Sequence, residues 1–248
     1  MTEHETLFLA GVARSGTTAM RRVLQSHPDV ALGMERYKKL WGDEIDRLTP
    51  AMFDRDRFFD YSDGHTNVTP ELAWARPHLD ELDAKWDTAR YHGDKMTAIR
   101  AQRMWVNLPD ARFVFIVRDV AEVASSWQRR ATDDADLGWR PGADAVAAVK
   151  GSNKGLHRVL VAATRRPRQA VVVEHSRFFG DPEGAALAGV MDFLGLDPAP
   201  VAASWQAEHR TYVDSVAGRN RTLPPEAAAF VAEHADHATW ERVVALSL

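Results

Sequence analysis

Residues 7–18, LFLAGVARSGTT, carry an apolar run into a glycine loop and out into a helix-forming stretch, and few architectures accept that junction. The run is continuous rather than alternating, the pattern of a strand covered on both faces. Gly11 and Gly16, followed by Thr17 and Thr18, have the spacing of a phosphate-binding loop, G-x-x-x-x-G-K-[ST], with Thr17 where lysine would stand. In such a loop the glycines let backbone N–H groups turn inward, and the helix that follows offers its positive end to an anion. The cation has moved into the loop as Arg14, whose planar fork can grip two oxygens of a tetrahedral anion. A purely structural turn between strand and helix would use the same glycines, so the loop gains meaning only from its surroundings.

Those surroundings alternate apolar runs with helical patterns, which predicts a parallel sheet covered by helices. A strand is expected over 6–12, and after the loop Met20, Val23 and Leu24 recur at helical spacing until His27 and Pro28 stop them. Residues 30–32 form a weak second strand. Residues 111–120, ARFVFIVRDV, are the clearest strand, and Asp119 with Glu122 is a capping signal for the helix after it. A helix is expected over 143–164 with an interruption at Gly151-Ser152-Asn153, a last strand over 169–175, helices in 182–196 and 224–235, and a polar, basic loop over 212–225. Residues 41–87 are polar and acidic, carry Trp41, Phe53, Phe58, Phe59, Tyr61 and Trp74, and read as an insertion of short helices and loops. The fold class is therefore α/β, a three-layer parallel sheet with a P-loop NTPase-like nucleotide-binding core. No linker or repeat divides residues 1–248, which read as a single domain.

Composition narrows the partners. A formal net charge of −4 gives no reason to expect nucleic acid or an anionic membrane, so any anion site is local. The absence of cysteine excludes disulfides, thiolate metal sites and a cysteine nucleophile, and suits a reducing cytoplasm. No apolar run approaches the ~18 residues of a transmembrane helix. Oligomeric state leaves no mark in the sequence.

Two stretches together carry a family resemblance. GVARSGTTAMRRVLQSHPDV, from residue 11, resembles the 5'-phosphosulfate motif of sulfotransferases that use 3'-phosphoadenosine 5'-phosphosulfate (PAPS), whose loop reads R/K-S-G-T-T. RFVFIVRDVAEVASSWQRR, from residue 112, is similar to their 3'-phosphate motif, a strand ending in Arg with a Ser eight residues on: Arg118 and Ser126 here. Arg130 lies one helical turn beyond Ser126 and matches a further basic contact of the tyrosylprotein branch. GDKM at 93–96 resembles the family's G-D-K-T-P segment and makes Lys95 an active-site cation. The match is close over the first 130 residues and looser beyond: Val173 stands where many members carry Tyr, and VDSVAGRNR, with Ser215 and Arg219, is the counterpart of the basic loop that closes over the nucleotide.

The resemblance implies transfer of a sulfonate from PAPS to an acceptor hydroxyl of a small molecule, carbohydrate or lipid, releasing 3',5'-ADP and requiring no metal. Arg14 would meet the sulfonate, Ser15, Gly16, Thr17 and Thr18 the 5'-phosphate, and Arg118, Ser126 and Arg130 the 3'-phosphate. Thr17 and Thr18 can equally just start the helix, and Arg118 can pair with Asp119 or another acid. For the base, the tyrosylprotein branch places a Glu about where Glu35 stands, 21 residues after Arg14, although Glu35 can also pair with Arg36 or Lys38. His92 is the reserve base, and the aromatic-rich insertion is the candidate acceptor region. Glu174 and His175, at a strand end, can face either the ligand or a neighbouring helix. A P-loop small-molecule kinase and a non-catalytic nucleotide-binding protein are the competing readings. The first lacks the Walker lysine, and the second has no need to hold Arg14, Glu35, Arg118 and Ser126 together.

Overall fold

A computed structural model describes residues 4–136, 138–139, 141–217 and 222–248. Five parallel strands form the sheet: β1 (Glu5–Ala10), β2 (Val30–Met34), β3 (Tyr91–Met96), β4 (Arg112–Val117) and β5 (Ala170–Glu174). Their order is β2-β3-β1-β4-β5, so the chain leaves β1 toward one edge and later builds toward the other. Eleven described helices accompany them: α1 (Thr17–Gln25), α2 (Arg55–Phe58), α3 (Arg76–Lys85), α4 (Ala101–Met104), α5 (Val120–Ala131), α6 (Ala145–Arg165), α7 (His175–Gly180), α8 (Ala185–Leu194), α9 (Ala202–Tyr212), α10 (Pro225–His234) and α11 (His237–Val244). Alternate residues of each strand feed two apolar layers. Leu7, Leu9, Val114, Ile116, Val171 and Val173 pack with Met20, Val23 and Leu24 of α1 and with Val190 and Met191 of α8. Phe8, Phe113, Phe115 and Val117 pack on the other face with Val123 and Ala124 of α5 and Val159 of α6. A strand between two such layers has no polar face, which is why its sequence runs apolar without alternation.

One strand is not among those expected, and two expectations need correction. β3 leaves no mark in the hydrophobic pattern: YHGDKM is polar, yet all six residues are buried between β1 and β2. Period and hydropathy failed there because only Tyr91 and Met96 join the apolar layers, while His92, Gly93, Asp94 and Lys95 between them are buried without being apolar. α6 runs through Gly151-Ser152-Asn153 without interruption over its 21 residues. Its other glycine, Gly155, is where the helix crosses the loop, and a Cβ there would lie 2.6 Å from Val12 Cγ2. The start of the basic stretch expected as loop over 212–225 is not loop either, since α9 leads directly into a wider turn over Val213–Ala217.

The aromatic segment at 41–87 does consist of short helical turns, with α3 its longest helix. Trp41, Phe53, Phe58 and Trp86 are buried in the same apolar layer as Phe8 and Phe113, so most of these rings cover the β2 side of the sheet. Trp74 is the exception, 62% exposed.

Candidate functional site

The loop sits at the carboxyl ends of the strands, where the strand order reverses, the place at which open parallel sheets bind ligands. Its start is tied to β3, because Gly11 N–H donates to the Met96 carbonyl at 3.2 Å. Ser15 N–H closes a turn on the Val12 carbonyl at 3.0 Å. Arg14 and Gly16 have left-handed backbones, with φ of 76° and 92°. At Gly16 glycine is needed twice over, for that φ and because a Cβ would lie 2.5 Å from His175 Cδ2. No side chain caps the first turn of α1, whose N–H groups therefore point at the space before it. Ser15 and Thr17 are buried beneath the loop, while Thr18 is exposed.

The two motifs meet directly. Arg14 Nε donates to Ser126 Oγ at 3.2 Å, Arg118 Nη1 donates to the Arg14 carbonyl at 3.3 Å, and Trp127 Nε1 donates to the Ala13 carbonyl at 3.0 Å. Partial burial lowers the Arg14 pKa, and Arg130, Arg118 and Arg129 lower it further by repulsion. Cations gathered at such cost form a place where an anion is stabilised. The outer two carry carboxylates: Arg118 pairs with Glu122 at 2.7 Å, and Arg130 holds Asp136 while lying 4.4 Å over the Trp139 ring. Asp119 is not the partner of Arg118. Its side chain caps α5 by accepting from Glu122 N–H at 3.0 Å.

Glu35 stands just past β2, with a left-handed φ of 61°. Its two oxygens receive Lys95 Nζ at 2.8 Å and Lys38 Nζ at 2.7 Å, and its N–H donates to the Lys95 carbonyl at 3.1 Å. Burial by itself would raise the Glu35 carboxyl, but the two lysines outweigh it and hold the group below the usual range. It is therefore ionised at neutral pH, as a proton acceptor must be. Glu35 thus has the expected surface partner, Lys38, and shares its carboxylate with Lys95 at the end of β3. Arg36 instead turns inward to Asp63, at 2.8 Å.

His92 is not at this site. It lies three residues before Lys95, buried, with its ring 3.8 Å from His4 and 4.3 Å from Trp86, and burial pushes its pKa down to about 4. Glu174 pairs with Arg177 at 3.0 Å, whereas His175 lies against the loop at Gly16 and carries Tyr212 at 5.4 Å between ring centres. Ser215 is exposed in the turn that follows Tyr212, and Arg219 lies outside the described residues. Asp94, buried beside Lys95, was not singled out from the sequence; its position inside the GDKM stretch was the available signal.

Comparison with known proteins bears on the family and the fold. The profile described as the Sulfotransferase family matches residues 6–200. A Caenorhabditis briggsae protein, provisionally named a protein-tyrosine sulfotransferase, is 25% identical over 197 residues, covering 77% of this chain and 65% of its own length. The chain thus spans somewhat less than two thirds of that relative. Among solved structures, the sulfotransferase domain of the Synechococcus PCC 7002 olefin synthase superposes with a TM-score of 0.52 at 18% identity, over 99% of this chain and 94% of that one. Mouse sulfotransferase SULT7A1, solved with PAP, gives 0.50 at 14% identity, over 90% and 69%.

Proposed function

The chain belongs to the sulfotransferase family, and from that premise we propose that it moves a sulfonate from PAPS to an acceptor hydroxyl and releases 3',5'-ADP. The observation that carries this reading is the joining of the two anion motifs, Arg14 on Ser126 and Arg118 on the loop carbonyl, beside an ionised carboxylate held by Lys95. PAPS carries a 3'-phosphate and a 5'-phosphosulfate on one ribose, and two adjoining cationic cradles suit that pair of anions better than a triphosphate with metal. In this reading Ser15, Gly16, Thr17 and Thr18 offer N–H and hydroxyl donors to the 5'-phosphate. Arg118, Ser126 and Arg130 hold the 3'-phosphate, for which Arg118 and Arg130 exchange their carboxylate partners. Ser215 and Arg219 close over the nucleotide.

Sulfuryl transfer, like phosphoryl transfer, depends on alignment and on cations around spreading charge. Arg14 stabilises the sulfonate and the leaving phosphate as the S–O bond to phosphate breaks. Glu35 takes the acceptor's proton as its oxygen bonds to sulfur, and Lys95 keeps that carboxylate charged and aimed. The acceptor enters on the Met34 side, where Val68, Ala75 and Leu79 form a small apolar cluster with Tyr61 and Leu72 against Met34. In the same reading residues 1–248 act as one unit in the cytoplasm, a setting that suits a sequence without cysteine. Acceptors of the family reading are small molecules, carbohydrates or lipids. The name of the worm relative adds tyrosyl hydroxyls of proteins to the classes tested. The experiment is an untargeted mass-spectrometric screen of cell extract and tyrosine peptides incubated with PAPS and the chain. A product heavier by SO3, absent with Arg14→Ala, is expected; no such product from any acceptor class, with 3',5'-ADP failing to bind, would overturn the reading.

A further inference from the structure

Asp94 and Lys95 are consecutive in β3 and so point to opposite faces of the sheet. Both hold the same turn. From one face Lys95 Nζ reaches Glu35 Oε1 at 2.8 Å; from the other, Asp94 Oδ2 accepts the Tyr37 backbone N–H at 3.4 Å. The Lys95 carbonyl, between them, accepts the Glu35 N–H. That turn needs holding, because Glu35 has a left-handed φ of 61°, a backbone conformation unfavourable for any residue with a Cβ. The next residue is tied down as well: the Arg36 guanidinium, 2% exposed, donates to the Phe58 and Asp60 carbonyls and pairs with Asp63.

Asp94 itself is expensive to bury. It is 1% exposed, its Oδ1 has no hydrogen-bond partner, and burial pushes the carboxyl up to about 7 even though the amides of Arg36 and Tyr37 and the charge of Lys95 pull it down. An uncharged side chain would be cheaper to bury in the same place. We propose that Asp94 is a positioning residue for Glu35: by accepting the Tyr37 amide from the face opposite Lys95, it fixes the left-handed turn that seats the Glu35 carboxylate between Lys95 and Lys38. Its importance for catalysis rests on the reading of Glu35 as the proton acceptor.

The test is carboxyl-carbon NMR of the whole chain, with the Glu35 resonance assigned by its loss in Glu35→Gln. Asp94→Leu keeps the branching at Cγ, with more bulk, and has no acceptor, whereas Asp94→Asn keeps an oxygen for the Tyr37 amide; Asp94→Ala, which adds no bulk, replaces the leucine variant if that one does not fold. In the wild-type chain Glu35 titrates below the ordinary carboxylate range. Asp94→Leu is expected to raise that midpoint by about one pH unit, as the turn relaxes and the lysines lose their aim, while Asp94→Asn stays near wild type. Calorimetric affinity for 3',5'-ADP, bound on the other side of β1, is expected to change less than about twofold in either variant. An unmoved Glu35 midpoint in Asp94→Leu, or an equal shift in Asp94→Asn, would overturn the proposal. Failure of the wild-type chain to bind 3',5'-ADP would instead count against sulfuryl transfer and leave the titration result standing.

Discussion

Gly16→Ala perturbs the loop at the position where the structure leaves least room. Alanine must adopt a φ of 92°, at a cost of roughly 1–2 kcal/mol. Its Cβ would also stand 2.5 Å from His175 Cδ2, well inside ordinary contact. The imidazole cannot simply swing away, because it is buried and has Phe179 at 5.1 Å and Tyr212 at 5.4 Å around it. Overpacking against a confined ring typically costs about 1–3 kcal/mol, so the substitution should destabilise the chain by about 2–5 kcal/mol in total. Urea denaturation measures this, and calorimetry on the same samples should show 3',5'-ADP binding weakened about tenfold or more as the N–H groups turn off target. Adding His175→Ala removes the collision but not the backbone strain, so the double variant should regain part of the loss relative to its His175→Ala parent. A Gly16→Ala chain within about 0.5 kcal/mol of wild type, with unchanged 3',5'-ADP affinity, would refute the loop geometry and its role together.

Arg118→Ala should weaken 3',5'-ADP by roughly 2–3 kcal/mol and leave 5'-AMP nearly indifferent, and equal losses for both nucleotides would place Arg118 elsewhere. Glu35→Gln should slow single-turnover transfer by about 10²- to 10⁴-fold with donor affinity unchanged, whereas wild-type turnover would remove Glu35 from the chemistry. Because the lysines hold the Glu35 pKa below its ordinary value, transfer should persist as pH falls until that lowered pKa is reached; Lys95→Met should move the acid limb upward, and an unmoved limb would contradict the pairing. His92 is depressed from 6.5 to about 4, so between those values the unfolded chain binds the proton that the folded chain refuses, and stability falls with acid. His92→Phe should remove about 3 kcal/mol of that acid-dependent loss across the range, read from urea midpoints, and an unchanged pH dependence would show that His92 is not buried neutral.

Much of the fold was written in hydrophobic runs. β1, β4 and β5 lie between two apolar layers, so Leu7 to Ala10, Phe113 to Val117 and Ala170 to Val173 announce themselves. β3 did not, because a central strand made of Tyr91 to Met96 spends its positions on His92, Asp94 and Lys95, and polar residues paired within the fold leave no period to read. The loop and the Arg118 to Ser126 spacing were legible as motifs, since each is local. Their junction through Arg14 and Ser126 spans 112 residues and exists only in three dimensions. The same limit applies to His175, whose contact with Gly16 depends on where β5 lies in the sheet, and to Asp94, whose role depends on strand parity beside a turn 57 residues away.

Donor identity is the centre of the account, and calorimetry of the wild-type chain with 3',5'-ADP in the presence of chelator, set against ATP with Mg2+, tests it most directly. Arg14, Arg118, Arg130 and Ser126 around a loop without the Walker lysine predict that 3',5'-ADP binds without metal and that Mg-ATP binds far more weakly. Metal-dependent binding of ATP tighter than that of 3',5'-ADP would contradict it.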